Sequence, residues 1–342
     1  MLKRSRYLGF VITGVFIALL LWKIPLHEVE IAFARANYVW VIPAVGCTLL
    51  SYILRTMRWK QILRPTGAWP FRTLISPLFI GFMANNLLPA RIGEVVRAYA
   101  LQRKTGLSKS LGLATILVER LCDGLTLVVA LGLCALLFPL PSWGRDVGYA
   151  AGALFIVITV AIVIVLARQD LAFRILTRVL RPFPQRISAM AREKAASFVI
   201  GLRALQSGRD VVVIALWSLV IWAVETTSYF MILKSFHPVL RDGTPMLAAL
   251  LMMATVNLGI LIPSAPGYIG AFQFFAVLAL SAFGVSSSVA LAMAIVSHAG
   301  QWVTVTGIGL VFLLRESLGW KLVSARNAQP ELGADVAAEV GR

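Results

Sequence analysis

Long apolar segments recur along this chain, and they limit the folds it can adopt more than any other feature. Six stretches are mostly apolar and approach the length of a bilayer crossing: residues 7–22, 38–54, 112–138, 147–167, 211–233 and 289–314. A transmembrane helix needs about 20 such residues. Only 14% of the residues are charged, compared with about 25% in soluble domains. The sequence therefore predicts an all-α polytopic membrane protein.

Most basic residues lie between these apolar segments. The net charge of +17 would suggest nucleic-acid binding in a soluble protein. Here Lys and Arg gather at residues 1–6, 55–72, 91–109 and 168–209, and again after the last apolar segment. Because cations between membrane segments favour the cytoplasmic side, we assign all of these regions, including Arg55 and Arg58, to the cytoplasm. We expect a bacterial inner-membrane protein with both termini in the cytoplasm and no nucleic-acid partner.

One apolar stretch, residues 73–88, lies between two strongly basic segments. A helix that crossed the membrane there would place one of the basic segments outside the cytoplasm. We therefore expect this stretch to enter the membrane and return as a hairpin that turns near Pro89 and Gly93. Irregular backbone at membrane depth is tolerated only where it is buried in protein or lines a wet cavity.

The two halves of the chain share an ordered series of residues at an offset of 177 positions. Ser51-Tyr52 matches Ser228-Tyr229, and Pro89-x-x-Ile92-Gly93 matches Pro266-x-x-Ile269-Gly270. Shared apolar composition is the alternative explanation, but the ordered series favours a repeat. We predict repeats at 7–138 and 147–314, each reading helix, helix, re-entrant hairpin, helix, which gives about eight membrane segments. Because each repeat has three full crossings, the second is inverted.

These elements form one predicted transmembrane domain, residues 1–316, that includes a basic cytoplasmic loop at 168–209. The loop pattern fits either an amphipathic helix on the cytoplasmic leaflet or an ordinary positive-inside loop, and the sequence leaves both open. Residues 317–342 form a cytoplasmic tail that we expect to be disordered.

Ionisable residues inside the apolar segments are the candidate functional groups. Asp123 lies about 15 Å along its helix from Leu113 at 1.5 Å per residue, and it shares a face with Glu119. Such residues usually face a bundle interior or a cavity. The candidate cavity-lining set is Asn86, Arg91, Glu94, Arg97, Glu119, Arg120, Asp123, Glu225, Asn257, Gln273, His298 and Gln301. The candidate hairpin-turn set is Pro89, Gly93, Pro266, Gly267 and Gly270.

These residues support two readings. In the first they line a polar pathway for a charged headgroup, because the guanidinium groups of Arg91, Arg97 and Arg120 suit phosphate. In the second they are structural ion pairs, such as Arg120 with Glu94 or Asp123. His298 is interpreted as a hydrogen-bonded core residue, because no second metal ligand lies at helical spacing. We expect no catalytic residues, no metal and no cofactor.

Three segments together resemble the transmembrane domain of lysylphosphatidylglycerol synthases. They are Asn86-Leu-Leu-Pro-Ala-Arg-Ile-Gly-Glu-Val-Val-Arg97, Val118-Glu-Arg-Leu-Cys-Asp123 and Pro263-Ser-Ala-Pro-Gly-Tyr-Ile-Gly270. The resemblance covers about residues 7–316 and implies a flippase-like membrane protein without the lipid-synthesis domain. Two departures concern Gln273, where the family often has an acid, and His298, where it often has a basic residue.

The resemblance implies a lipid flippase or transporter whose partners are membrane lipids. The candidate substrates are an anionic or aminoacylated phospholipid, a glycolipid and a hopanoid-type lipid. Two alternatives stay open: a membrane-embedded enzyme on lipid phosphates or lipid-linked sugars, and an accessory subunit of a lipid-synthesis complex. The candidate protein partners are a second copy of the chain and lipid-synthesis enzymes.

Overall fold

The computed structural model describes residues 2–88, 92–180, 185–240, 244–262 and 264–316. Pro89, Arg91 and the tail 317–342 lie outside the described residues, so the predictions about them stay predictions. Within the described ranges the chain forms thirteen α-helices and no β-strand. The helices are α1 (Leu2–Lys23), α2 (Leu26–Arg35), α3 (Val41–Leu63), α4 (Phe71–Leu87), α5 (Gly93–Thr105), α6 (Lys109–Leu137), α7 (Ser142–Ala167), α8 (Gln169–Val179), α9 (Gln185–Gly201), α10 (Gly208–Phe236), α11 (Pro245–Gly259), α12 (Ala271–Ser281) and α13 (Ser287–Arg315).

Five described helices are long and apolar enough to cross a membrane. They lie at Tyr38–Thr66, Lys109–Leu137, Ser142–Ala167, Gly208–Phe236 and Ser287–Arg315. Two of the shorter apolar helices span Phe10–Leu20, within α1, and Pro245–Gly259. The all-helical class and five of the six predicted apolar spans are therefore confirmed, and the total of about eight membrane segments stays a prediction.

The helices of the two halves follow the same order. In the first half α3 precedes the packed pair α4 and α5, and α6 follows; in the second half α10 precedes the packed pair α11 and α12, and α13 follows. Helices α6 and α13 both have 29 residues. The inverted relation of the halves and the depth of each helix pair in the membrane stay predictions.

Close helix packing in the core depends on small residues. Helix α13 crosses α4 at Gly309, where a Cβ atom would lie 2.7 Å from the carbonyl oxygen of Phe79 and 2.5 Å from the Cβ atom of Met83. Small residues allow such close approach of helix backbones, as is common in membrane proteins. Met83, at this crossing, is fully buried.

One sequence assignment needs correction. Helix α3 continues to Leu63, so Arg55 and Arg58 are buried within the helical core and do not belong to a cytoplasmic connecting segment. The segment 168–209 contains helices α8 and α9, and its position relative to the membrane stays a prediction. Positive-inside counting misplaces arginines whose charges are paired inside the protein, since it considers only the number of cations in a segment.

Candidate functional site

Six ionisable side chains meet in the core, and we call them the charged cluster. Helix α3 supplies Arg55 and Arg58, and α5 supplies Arg97. Helix α6 supplies Glu119, Arg120 and Asp123. Four guanidinium groups therefore face two carboxylates. Helical spacing explains the convergence, because residues three or four apart share one face.

Glu119 is the most enclosed acid of the cluster, with no exposed surface. The guanidinium of Arg97 binds it through two parallel hydrogen bonds, Nη1 to Oε1 and Nη2 to Oε2, each 2.9 Å long. Arg120 donates to Oε1 at 3.0 Å, and Arg58 lies 3.8 Å from the same oxygen. Bidentate pairs of this kind are among the stronger hydrogen-bonded contacts in proteins.

Asp123 forms the second centre of the cluster. Its Oδ1 accepts hydrogen bonds from Arg58 at 2.7 Å and from the Trp222 indole nitrogen at 3.1 Å. Its Oδ2 lies 3.4 Å from both Arg55 and Arg120. Arg58 also donates to the Ser218 hydroxyl at 2.8 Å. Helix α10 therefore contributes neutral partners that fix the orientation of this acid.

Aromatic rings cover three of the four arginines. The guanidinium carbon of Arg97 lies 3.8 Å from the Trp59 ring centroid, and that of Arg55 lies 4.8 Å from Trp222. The corresponding distance from Arg120 to Phe82 is 5.5 Å. A guanidinium group can stack on an aromatic face while its edge binds an acceptor. The rings therefore stabilise cations whose side chains are largely buried.

The cluster retains unused donor capacity. The buried Nε groups of all four arginines lack a hydrogen-bond partner among the described residues, and so does Nη2 of Arg58. The side chain of Arg120 is 30% exposed, whereas those of Arg55, Arg58 and Arg97 are exposed by 7% or less. The cluster is therefore an arginine-rich site in which Arg120 is the most exposed cation.

Glu225 lies at the border of this cluster rather than within its ion pairs. Its Oε2 accepts a hydrogen bond from Ser51 at 2.7 Å. Thr48 and Ser228 extend the polar contact between α3 and α10, with 3.3 Å between their hydroxyl oxygens. Ser51 and Ser228, which match in the sequence comparison of the two halves, thus both lie at this helix interface.

A second polar group, the amide cluster, lies among α10, α11, α12 and α13. Gln273 contacts His298, with 3.0 Å between Nε2 and Nδ1, and Phe272 stacks on the imidazole ring at 4.3 Å. Asn257 donates to the carbonyl oxygen of Met253 at 2.9 Å, and Gln301 donates to the Ser297 hydroxyl at 3.4 Å. These neutral contacts agree with the interpretation of His298 as a hydrogen-bonded core residue.

The described parts of the two turn regions lie next to each other. A Cβ atom on Gly267 would lie 3.1 Å from the Asn86 carbonyl oxygen and 2.9 Å from the Trp302 indole nitrogen. Asn86 also donates to Thr306 at 3.0 Å. Gly267 and Gly270 have φ angles of 71° and 84°, which favour glycine. The second turn therefore packs against α13 and against the end of α4.

The structure brings together only part of the predicted set. Arg97, Glu119, Arg120 and Asp123 meet in the charged cluster, and the predicted pair of Arg120 with Asp123 is present. Glu94 is half-buried and close enough to interact electrostatically with Arg120. Sequence reasoning missed Arg55 and Arg58. Their spacing from Ser51 places all three on one helical face, and this signal could have revealed them.

Comparison with known proteins shows the family. A family model for the lysylphosphatidylglycerol synthase TM region matches residues 6–309. The chain belongs to this family. Two UPF0104 membrane proteins of Methanothermobacter thermautotrophicus are each 26% identical to it, over 90% and 87% of the chain and 95% and 89% of their own lengths. The glycosyltransferase AglD of Haloferax volcanii is 28% identical over 91% of the chain. The chain spans about half of the length of AglD (54%).

Proposed function

We propose that this membrane protein moves a lipid between the two leaflets of a bacterial inner membrane and that the charged cluster binds its headgroup. The observation that carries the proposal is the convergence of four arginine side chains in the core, whose buried Nε groups have no hydrogen-bond partner among the described residues. Buried cations are costly in a membrane protein, and they usually mark a substrate or ion pathway.

The chemistry of the cluster favours a lipid with a negatively charged group. Guanidinium groups bind phosphate through a planar donor fork, and charge-assisted hydrogen bonds of this kind are stronger than neutral ones. Arg120 is the contact best placed to receive the headgroup, because it is the most exposed arginine of the cluster. Anionic phospholipids and phosphate-linked glycolipids both satisfy this requirement.

The predicted inverted repeats suggest the route. In transporters with such repeats, substrate sites lie near the bilayer midplane between the two halves. Here Gly267 of the second turn packs against Asn86, which precedes the first turn. We propose that the headgroup passes between these turns and the charged cluster, and that relative movement of the two halves opens the path to each leaflet in turn.

The test is a leaflet-exchange assay with the full chain in liposomes that contain a headgroup-labelled phosphatidylglycerol. We expect exchange above that of protein-free liposomes. Arg120→Gln should lower the protein-dependent rate about tenfold, since a hydrogen bond to a charged group contributes about 1.5–3 kcal/mol. Arg64→Gln is the matched control, because its side chain is 63% exposed. Equal rates in both variants would remove the proposed headgroup site.

The relationship to AglD supports a second candidate, a role with lipid-linked sugars. AglD is named as a glycosyltransferase, and this chain matches about half of it. The same liposomes, supplied with a polyprenyl-phosphate sugar, separate the candidates. Exchange of the intact molecule indicates transport, and a changed molecule indicates an enzyme. Activity that appears only with a co-purifying enzyme indicates an accessory subunit.

A further inference from the structure

The junction of α7 and α8 carries an apolar groove outside the charged cluster. Helix α7 ends at Ala167, and α8 begins two residues later at Gln169. The groove between the two helices has a volume of about 410 Å³. Its lining residues are Ile164, Val165, Arg168, Leu171, Ala172, Ile175, Leu176 and Val179. Ligand pockets in proteins start at roughly 300 Å³, so the space can hold part of a small amphiphile.

Helix α8 separates apolar and basic side chains sharply. Leu171, Ile175 and Val179 recur every four residues and line the groove, and all three are exposed. Arg174 and Arg178 are also four apart and exposed, and at 100° per residue they follow one edge of the apolar face. This pattern of an apolar face with basic flanks is typical of helices that lie at a membrane surface.

The charged groups around the groove are mostly cations. Arg168 contributes to the lining itself. Arg174 uses its Nε to donate to the carbonyl oxygen of Asp170 at 3.3 Å. Asp170 is the one acid of α8. Arg168 therefore lines the apolar groove, and Arg174 and Arg178 lie exposed along one edge of α8 next to it, at a predicted cytoplasmic interface. This arrangement matches the charge distribution of an anionic phospholipid.

We propose that this groove is a binding site for an anionic phospholipid, with an acyl chain between α7 and α8 and the phosphate at Arg168, Arg174 and Arg178. The proposed lipid stays bound in the groove and is not transported. The inference therefore does not depend on the proposed transport activity. Long basic side chains at the edge of an apolar helix face can reach a phosphate while their stems remain in apolar contact.

The surroundings of α7 favour a lipid over a protein as the occupant. Only 11% of the apolar stretch of α7 is buried inside the protein, which is the lowest share among the five candidate membrane spans. Among the described helices, its main contacts are with α6 and α8. An apolar helix with this much uncovered surface faces acyl chains in a membrane, and the groove is continuous with that surface.

The experiment is native mass spectrometry of the purified full chain from mixed micelles with equal amounts of phosphatidylglycerol and phosphatidylcholine. We expect retained phosphatidylglycerol to exceed phosphatidylcholine. Each basic residue near an anionic lipid contributes enough to change binding about fivefold, so Arg168→Gln/Arg174→Gln/Arg178→Gln should abolish the preference at this site. The matched control, Arg192→Gln/Lys194→Gln/Arg203→Gln, removes three exposed charges from the next helical segments and should retain it.

A second variant distinguishes lipid bound in the groove from lipid bound at the charged cluster. The comparison is repeated with Arg120→Gln, which weakens the proposed headgroup site and leaves α8 intact. A phosphatidylglycerol adduct that persists with Arg120→Gln and is lost with the α8 variant supports the inference. Equal retention of the two lipids by the unmodified protein, an equal loss with the control variant, or a change in oligomeric mass in place of lipid loss would overturn it.

Discussion

The guanidinium group of Arg97 binds both carboxylate oxygens of Glu119, and the two N–O distances are 2.9 Å. The pair joins α5 to α6 in a region where both side chains are almost fully buried. Removing one partner from a buried pair leaves an uncompensated charge, which costs more than the pair itself contributes. The contact is therefore a sensitive probe of the cluster.

Arg97→Ala should lower the free energy of unfolding by about 3–5 kcal/mol, because it leaves part of the Glu119 charge uncompensated. The measurement is unfolding of the purified protein in mixed micelles, followed by near-UV circular dichroism. The exposed pair of Arg64 with Asp210, at 3.4 Å, is the control, and Arg64→Ala should change stability by less than about 1 kcal/mol. Similar values for the two variants would contradict the packed structure of the cluster.

Asp123 and Glu225 are both buried carboxylates, but only Asp123 takes part in the described ion pairs. Asp123→Asn should therefore destabilise the protein by about 3 kcal/mol, since it leaves Arg55 and Arg58 without their main counter-charge. Glu225→Gln keeps an acceptor for Ser51 and should change stability by less than about 1 kcal/mol. The measurement is the free energy of unfolding of the two variants relative to that of the unmodified protein. A larger loss with Glu225→Gln would mean that Glu225 balances the arginines.

Gly93 lies where α5 meets α4. A Cβ atom on Gly93 would lie 2.0 Å from the Gly81 carbonyl oxygen and 2.5 Å from Oδ1 of Asn85. Gly93→Ala should reduce stability by at least about 1–3 kcal/mol, because the helices must separate. Gly46→Ala has nothing within 4 Å of the new methyl group and should stabilise α3 by up to about 1 kcal/mol. The test is thermal unfolding of both variants in detergent. Equal unfolding midpoints would contradict the close contact between α4 and α5 at Gly93.

Gly267 and Gly106 have nearly the same backbone conformation, with φ angles of 71° and 74°. An alanine in this conformation costs about 1–2 kcal/mol on backbone grounds alone. Gly106→Ala should show only this loss, since nothing lies within 4 Å of its new methyl group. Gly267→Ala should lose more, because its methyl group also meets Trp302 and Asn86. If the two losses were equal in unfolding experiments, the turn regions would not be in contact.

The sequence predicted the long helices well, because a helix that crosses a bilayer must be both long and apolar. It also singled out Glu119, Arg120 and Asp123, which meet in the charged cluster, since ionisable residues within such a helix are rare. The predicted apolar segment 147–167 ends where α7 ends, at Ala167, whereas a helix within 168–209 was only one of two alternatives that the sequence left open.

Arg55 and Arg58 show why the rest of the site escaped prediction. In sequence they belong to a basic run that extends to Arg72, and such runs usually lie in the cytoplasm. Their burial depends on Asp123 and on Trp222, which lie 65 or more positions away in the chain. Contacts between distant segments depend on how the helices pack, and hydropathy and charge counts carry little information about them.

The central claim is that a lipid headgroup reaches the charged cluster, and site-specific photocrosslinking tests it most directly. Phe82 lies beneath Arg120 and is half-buried, so a benzophenone side chain at position 82 should form a covalent adduct with membrane lipid on illumination. Leu78 is fully buried and serves as the negative control, and Leu136 is 85% exposed and serves as the positive control. The account predicts lipid adducts at positions 82 and 136 and none at 78. Adducts at 136 alone would contradict it.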